Sequence, residues 1–180
     1  MNLFGLFRSA PPARKVAAGV GGLSAAGLAL SIAMFNHWEG VSYKAEQLPF
    51  DPPGVVTVCG GITNHDWPWL KIGMTFTPEQ CREAIAKLVP RYAEPLIKCV
   101  PSFSTMPPHR QAALVSFAIN LGPSRICSSS IGADLEAGRI REACNAMTKY
   151  VYADGKILKG LINRRNDPIW GERPWCLRED

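Results

Sequence analysis

Three side chains in the first third of the chain have the types and spacing to do chemistry: Glu39, Asp51 and Thr57. Glu39 comes four residues after an uncharged run that ends at Phe35, so it projects from the C-terminal end of a helix. Asp51 opens the turn Asp51-Pro52-Pro53-Gly54, and Thr57 falls in the β-prone run Val55-Val56-Thr57-Val58. Two carboxylates held on different elements are the minimum for cleaving a glycosidic bond. One, protonated, donates to the leaving oxygen; the other, ionised, activates water or stabilises positive charge at the anomeric carbon. A hydroxyl beside them can orient that water. Taken singly, the same residues read as an ordinary turn aspartate and strand threonine.

The elements that must position these groups come from a chain of 180 residues with a net charge of +5, 47% hydrophobic residues and six cysteines. That composition suits one compact domain with an appended segment. Lys and Arg are in moderate excess and spread along the chain, which suits an anionic wall polymer or membrane surface and gives no nucleic-acid signature. His37, His65 and His109 do not sit at metal-ligand spacing from the cysteines, so neither a metal nor another cofactor is called for. Cys59, Cys81, Cys99, Cys127, Cys144 and Cys176 are disulfide candidates, with fifteen pairings open if all six bridge.

Residues 1–15 are basic, and residues 16–35 run twenty positions without a charge, long enough to span a bilayer with the N-terminus inside and the rest outside. A cleavable signal peptide, with Ser31-Ile32-Ala33 as its processing site, is the alternative. Glycines, alanines and serines fill twelve of those twenty positions, so little transfer energy holds the segment in lipid. The stripe Ala18, Gly22, Ala26 suits close helix packing.

Beyond Ile62 the pattern is mostly helical. Thr77-Pro78-Glu79-Gln80 is a capping box with proline at the first helical position, and Cys81, Ile85, Leu88 and Tyr92 give its stripe. Pro90 and Pro95 are expected to kink or end that helix. Pro107-Pro108 opens another, which Gly122-Pro123 stops; serines 128–130 cap a third ending at Gly138, a fourth covers 140–151, a turn falls at Asp154-Gly155, and a last helix carries Arg164 and Arg165. Trp67 and Trp69, in the loop after Thr57, can stack on sugar rings, whereas Trp170 and Trp175 suit core or rim. Arg164 suits either a wall carboxylate or, the preferred reading, a structural salt bridge.

Several blocks in order resemble the phage-type lysozymes, the endolysins of glycoside hydrolase family 24. They are Glu39-Gly40, Asp51-Pro-Pro-Gly, Thr57-Val-Cys-Gly-Gly with Thr63, residues 113–122, Tyr152-Ala153-Asp154-Gly155-Lys156, and Gly160-Leu161-Ile162-Asn163-Arg164-Arg165. The resemblance covers residues 37–176 and implies an α+β, mainly helical lysozyme-like fold with a small β ribbon beside the active-site cleft. It implies a muramidase domain over 36–180 that hydrolyses the β-1,4 bond between N-acetylmuramic acid and N-acetylglucosamine with inversion. Glu39 is then the general acid, kept protonated by apolar surroundings, Asp51 the ionised partner and Thr57 the water-positioning hydroxyl. The family has fewer residues between its two carboxylates, so Glu46-Gln47-Leu48-Pro49 reads as an insertion and Glu46 as a rival to Asp51. After Arg164-Arg165 the family often carries a glutamate where Pro168 stands here, which leaves that helix end open. The weak anchor resembles that of signal-arrest-release endolysins, exported through the host secretion machinery, tethered inactive in the inner membrane and later released to the periplasm. In some anchored relatives a bridge near the site controls activity; for Cys59 a plain structural bridge is expected. The expected partner is peptidoglycan, and the expected state a monomer. The alternatives are a lytic transglycosylase of similar fold and a membrane-anchored, inactive peptidoglycan binder.

Overall fold

The computed structural model describes residues 22–49, 51–153 and 155–179. Eight α-helices and two short antiparallel ribbons surround one hydrophobic core among these residues. Residues 1–21, which hold the basic N-terminus and the first part of the expected anchor, lie outside them, as does Asp154.

Helix α1, Ala25–Glu39, crosses the boundary drawn at residue 36. Ser24 caps it by accepting from Gly27 N at 2.9 Å, and Gly40 ends it at φ 69°. Gly27, Ser31, Met34 and Phe35 are buried, packed largely against α3, Pro108–Leu121. The fully buried Gln111 of α3 fixes the N-terminal end of α1. Its Oε1 accepts from Ser24 N at 3.1 Å and Ser24 Oγ at 2.7 Å, and its Nε2 donates to Gly22 O at 3.1 Å and Phe103 O at 2.9 Å. A Cβ on Gly27 would lie 2.3 Å from Gln111 Oε1, so only glycine permits this approach. Of the expected close-packing stripe, Gly22 packs with a Cβ position 2.6 Å from Ser104 Oγ, Ala26 is exposed with Gly27 making the contact beside it, and Ala18 lies outside the described residues. Among the described residues, no helix is long and apolar enough to cross a membrane.

Strands β1, Thr57–Val58, and β2, Ile62–Thr63, form the first ribbon, with Thr57 opposite Thr63. The strand is shorter than the β-prone run because Pro52 to Val55 form a turn, with Val55 N bonded to Pro52 O. The preceding segment runs alongside it through a bridge between Glu46 and Thr57.

Helix α2, Pro78–Cys99, starts with the full Thr77/Gln80 capping box and continues through both Pro90 and Pro95. The helix therefore ends at neither proline. Each proline removes one helix hydrogen bond at a cost of about 3 kcal/mol, yet the buried face Cys81, Ala84, Ile85, Leu88, Val89, Ala93 and Leu96 runs unbroken past them. A 3₁₀ turn, Pro101–Thr105, leads into α3, which starts and stops where expected.

Helices α4, Ser124–Cys127, and α5, Ser130–Glu136, follow, the latter capped by Ser129. Helix α6 is shorter than expected, Ile140–Ala146, because Met147–Lys149 tighten into a 3₁₀ turn. The expected turn at 154–155 is flanked by a second ribbon, β3, Tyr152–Ala153, with β4, Lys156–Ile157. Helix α7, Lys159–Asn166, carries the arginine pair, and α8, Glu172–Leu177, closes the chain. Three bridges form between sequence neighbours: Cys59–Cys81, Cys99–Cys127 and Cys144–Cys176. The first two pin both ends of α2, and the third ties α6 to α8.

Candidate functional site

Glu39 sits at the last turn of α1, and three contacts from the C-terminal part of the chain hold that turn. His37 stacks on Trp170 at 4.8 Å, Trp38 Nε1 donates to Trp170 O at 3.1 Å, and Arg164 Nη1 donates to Glu39 Oε1 at 2.6 Å. The Glu39 side chain remains 28% exposed and opens into a cavity of about 230 Å³. Phe35, Leu88 and Ile119 give that cavity apolar walls, and Tyr92 and Asn120 add polar groups. The surroundings are therefore mixed, with a guanidinium against the carboxylate, and not the apolar pocket expected from the sequence. Burial pushes the Tyr92 phenol up, with the charges of Asp66 and Glu39 adding, so it faces the cavity as a protonated donor.

Arg164 is 7% exposed at its side chain and is engaged throughout. Besides Glu39, its Nε donates to Glu172 Oε1 at 3.0 Å and its Nη2 to Ser116 O at 3.1 Å. Arg165 Nη1 donates to Glu172 Oε2, its Nη2 to Asn120 Oδ1 at 2.6 Å, and its Nε to Tyr150 O at 3.1 Å. Glu172 is fully buried and also accepts from Ser116 Oγ at 2.8 Å. Each charge in this cluster meets an opposite one, as burial requires. Arg164 thus takes the structural part of its two readings. Glu172 went unread in the sequence, although an acid seven and eight residues past an arginine pair was the available signal.

Asp51 and Thr57 are brought together. The Thr57 hydroxyl donates to Asp51 Oδ2 at 2.7 Å, and Leu48 N donates to the same oxygen at 3.4 Å. Glu46 exchanges backbone hydrogen bonds with Thr57, but its carboxylate accepts from Ser42 Oγ at 3.1 Å. The turn after Thr57 reaches the Glu39 cavity. Cys59 and Gly60 both have positive φ, 55° and 79°, and a Cβ on Gly60 would stand 2.1 Å from Gly40 O at the end of α1. Gly60 and Gly61 accordingly line the cavity with Glu39. The left-handed Cys59 is held by its bridge to Cys81 and by its N–H donating to Ser42 O at 2.7 Å.

Two further depressions adjoin. One, of about 510 Å³, is lined by Trp38, Leu158, Leu161 and Arg164 and shares Asn120 with the Glu39 cavity. The other, of about 230 Å³, has Trp67, Trp69 and Phe76 on one wall and shares Leu88. Trp67 and Trp69 stack with centroids 5.0 Å apart, and Trp69 is 53% exposed. Each of the two thus shares one wall residue with the Glu39 cavity. No group of His, Cys, Asp and Glu among the described residues could hold a metal ion.

The family model for phage lysozyme matches residues 36–168, from the end of α1 to just beyond α7. The chain belongs to the phage lysozyme family. It is 34% identical over 142 residues to a SAR-endolysin of Bacteriophage PS119, covering 77% of this chain and 76% of that one. Among solved structures, the endolysin from Escherichia coli O157:H7 phage FAHEc1 superposes with a TM-score of 0.67 at 25% identity, over 88% of this chain and 95% of the other. The muramidase domain of SpmX from Asticaccaulis excentricus does so with a TM-score of 0.62 at 25% identity, over 87% and 98%. Membership in the phage lysozyme family makes the chain a lysozyme-type glycosidase with peptidoglycan as the family's substrate. Its helical body with small antiparallel ribbons is the lysozyme-like fold.

Proposed function

We propose that this chain is an endolysin that hydrolyses the β-1,4 bond between N-acetylmuramic acid and N-acetylglucosamine. The observation that carries the reading is the Thr57 Oγ1 to Asp51 Oδ2 hydrogen bond of 2.7 Å. It sits two residues from the turn that shares a cavity with Glu39. Glu39 donates its proton to the leaving oxygen from the open side of its carboxylate. Asp51 stays ionised and holds the attacking water or faces the positive charge of the transition state, and Thr57 orients that water. The bond to Thr57 favours Asp51 over Glu46 as second carboxylate. Trp67 and Trp69, on the wall of the depression that shares Leu88 with the Glu39 cavity, serve as substrate contacts, and Arg164 acts on Glu39 as a positioning residue. The reading is tested by the new ends in purified wall sacculi digested with the full chain. Reducing muramic acid of inverted configuration supports it, and anhydro-muramic acid would assign a transglycosylase instead.

The export reading rests on physical grounds in α1 and on the SAR-endolysin relative. Residues 16–35 serve as a signal-anchor, N-terminus in, and leave the inner membrane for the periplasm after release. Residues 25–35 belong both to that anchor and to α1. In the bilayer they cannot pack on α3, so Glu39 cannot reach its cavity until release. Leucine in place of the exposed Ala25, Ala26 and Ala29 should keep the chain membrane-bound and non-lytic. Normal lysis by that variant would remove the topological control.

A further inference from the structure

The cavity beside Glu39 is walled by Phe35, Leu88 and Ile119, and two of its polar side chains have no part yet in the chemistry. Asn120, on α3, has its Oδ1 taken by Arg165 Nη2 at 2.6 Å. A guanidinium only donates, so this contact fixes the amide and leaves Nδ2 as the group that Asn120 offers the cavity. Tyr92, on α2, packs its ring against the core, and its hydroxyl has no hydrogen-bond partner among the described residues. Burial, then the charges of Asp66 and Glu39, hold that phenol above its usual range, so it stays a donor. Arg164 occupies Glu39 Oε1 at 2.6 Å and leaves Oε2 open. A space of about 230 Å³ thus carries one open carboxylate oxygen, two donors and no second carboxylate.

We propose that the Tyr92 hydroxyl and the Asn120 amide form a donor pair for the leaving oxygen of the cleaved bond, with Tyr92 a catalytic residue. The assignment rests on the muramidase reading. The Glu39 Oε2–H bond breaks as its proton joins the glycosidic oxygen, and the bond from that oxygen to C1 breaks with its electron pair staying on the oxygen. The water held at Asp51 bonds to C1 and passes its proton to Asp51. Negative charge on the leaving oxygen runs ahead of the arriving proton, and donors fixed among apolar walls stabilise it most at that moment. Tyr92 keeps its own proton throughout. In the free chain the same two donors hold one water that donates to Glu39 Oε2, and so favour the ionised carboxylate. The other groups around Glu39 are Arg164 of α7, backed by Glu172 of α8, and the backbone of Gly60 and Gly61. Asp66, tied to Arg91, acts on Tyr92, and His37 of α1 is stacked on Trp170.

Tyr92→Phe keeps the ring and removes only the hydroxyl, so the variant should melt like the parent. On purified sacculi the full chain carrying it should lose about tenfold in kcat, with KM within about twofold of the parent. A rise in KM at unchanged kcat would make Tyr92 a ground-state sugar contact and overturn the proposal, as would unchanged rates. Carbon-13 NMR titration of the Glu39 carboxyl gives a readout independent of cleavage. Its midpoint should rise by about half a pH unit or more in Tyr92→Phe, because a donor favouring the ionised form is lost. That rise supports the donor pair even if neither protein cuts wall, an outcome in which the muramidase reading alone fails. An unchanged midpoint overturns the pair.

Discussion

At the scale of single residues, the site depends on what has been left small and on what has been neutralised. Gly60 lets the turn after Thr57 approach within van der Waals range of the end of α1, with no room for a Cβ against Gly40 O. Gly60→Ala should therefore destabilise the chain by about 2–3 kcal/mol and lower lytic activity more than tenfold, because the turn must withdraw from Glu39. Thermal melting and turbidity assays would check both halves. Glu172 matters for the opposite reason, since it is the carboxylate shared by two buried arginines. Burial presses the Arg165 pKa down, and Glu172 opposes that effect. Glu172→Gln leaves both guanidinium groups under-compensated and should cost about 3–5 kcal/mol in urea unfolding. Glu39, Asp51 and Thr57 were singled out in the sequence by the family resemblance, and the structure joins two of them through the Thr57 to Asp51 hydrogen bond. Glu172 was not, because its role arises only when α8 folds onto α7.

At the scale of elements, α1 carries the greatest conflict between local pattern and tertiary structure. Its residues are apolar nearly all round, which in isolation reads as a membrane segment. The folded helix resolves that pattern into a buried face through Gln111 and Gly27, a contact that no periodicity reveals. Gly27→Ala should lower stability by about 1–3 kcal/mol, whereas Ala26→Ser, at an exposed position, should stay within about 0.5 kcal/mol. Chemical denaturation of the two purified variants distinguishes them. Prolines 90 and 95 do not end α2, whose buried stripe runs past them between two disulfides. The Thr77 capping box was legible because its partners lie three residues apart. The end of α7 was left open by Pro168 and is closed by Asp167, whose carboxylate accepts from Trp170 N at 2.8 Å and Ile169 N at 2.9 Å. These bonds, Trp170 first, hold its pKa below the usual aspartate value. A lowered folded-state pKa contributes stability that is fully present above the unfolded value, about 3.9, and fades as pH falls through the folded one. Asp167→Ala should thus melt lower than the parent at pH 7, with the gap narrowing below about pH 4.

At the scale of the whole molecule, the export reading proposed above asks one stretch of chain to serve two environments. In that reading weak apolarity lets residues 16–35 leave a bilayer; in the folded chain, small side chains at Gly27 and Ser31 let α1 seat on α3. Three bridges between sequence neighbours then brace the fold, each closing 22 to 32 residues and worth about 3–4 kcal/mol by loop entropy. Their number followed from an even cysteine count, while their pairing needed the packing of α2, α6 and α8. The lysozyme-like body was legible through ordered blocks that each carry a turn or cap, whereas the second ribbon, with its exposed strands, has no burial pattern to announce it. The most direct measurement is turbidity loss of outer-membrane-permeabilised Gram-negative cells treated with the oxidised full chain or with Glu39→Gln. Lysis by the parent, and a fall of at least a hundredfold in a Glu39→Gln variant that melts like the parent, is the expected result. Equal lysis by the two proteins would contradict a glycosidase acting through Glu39.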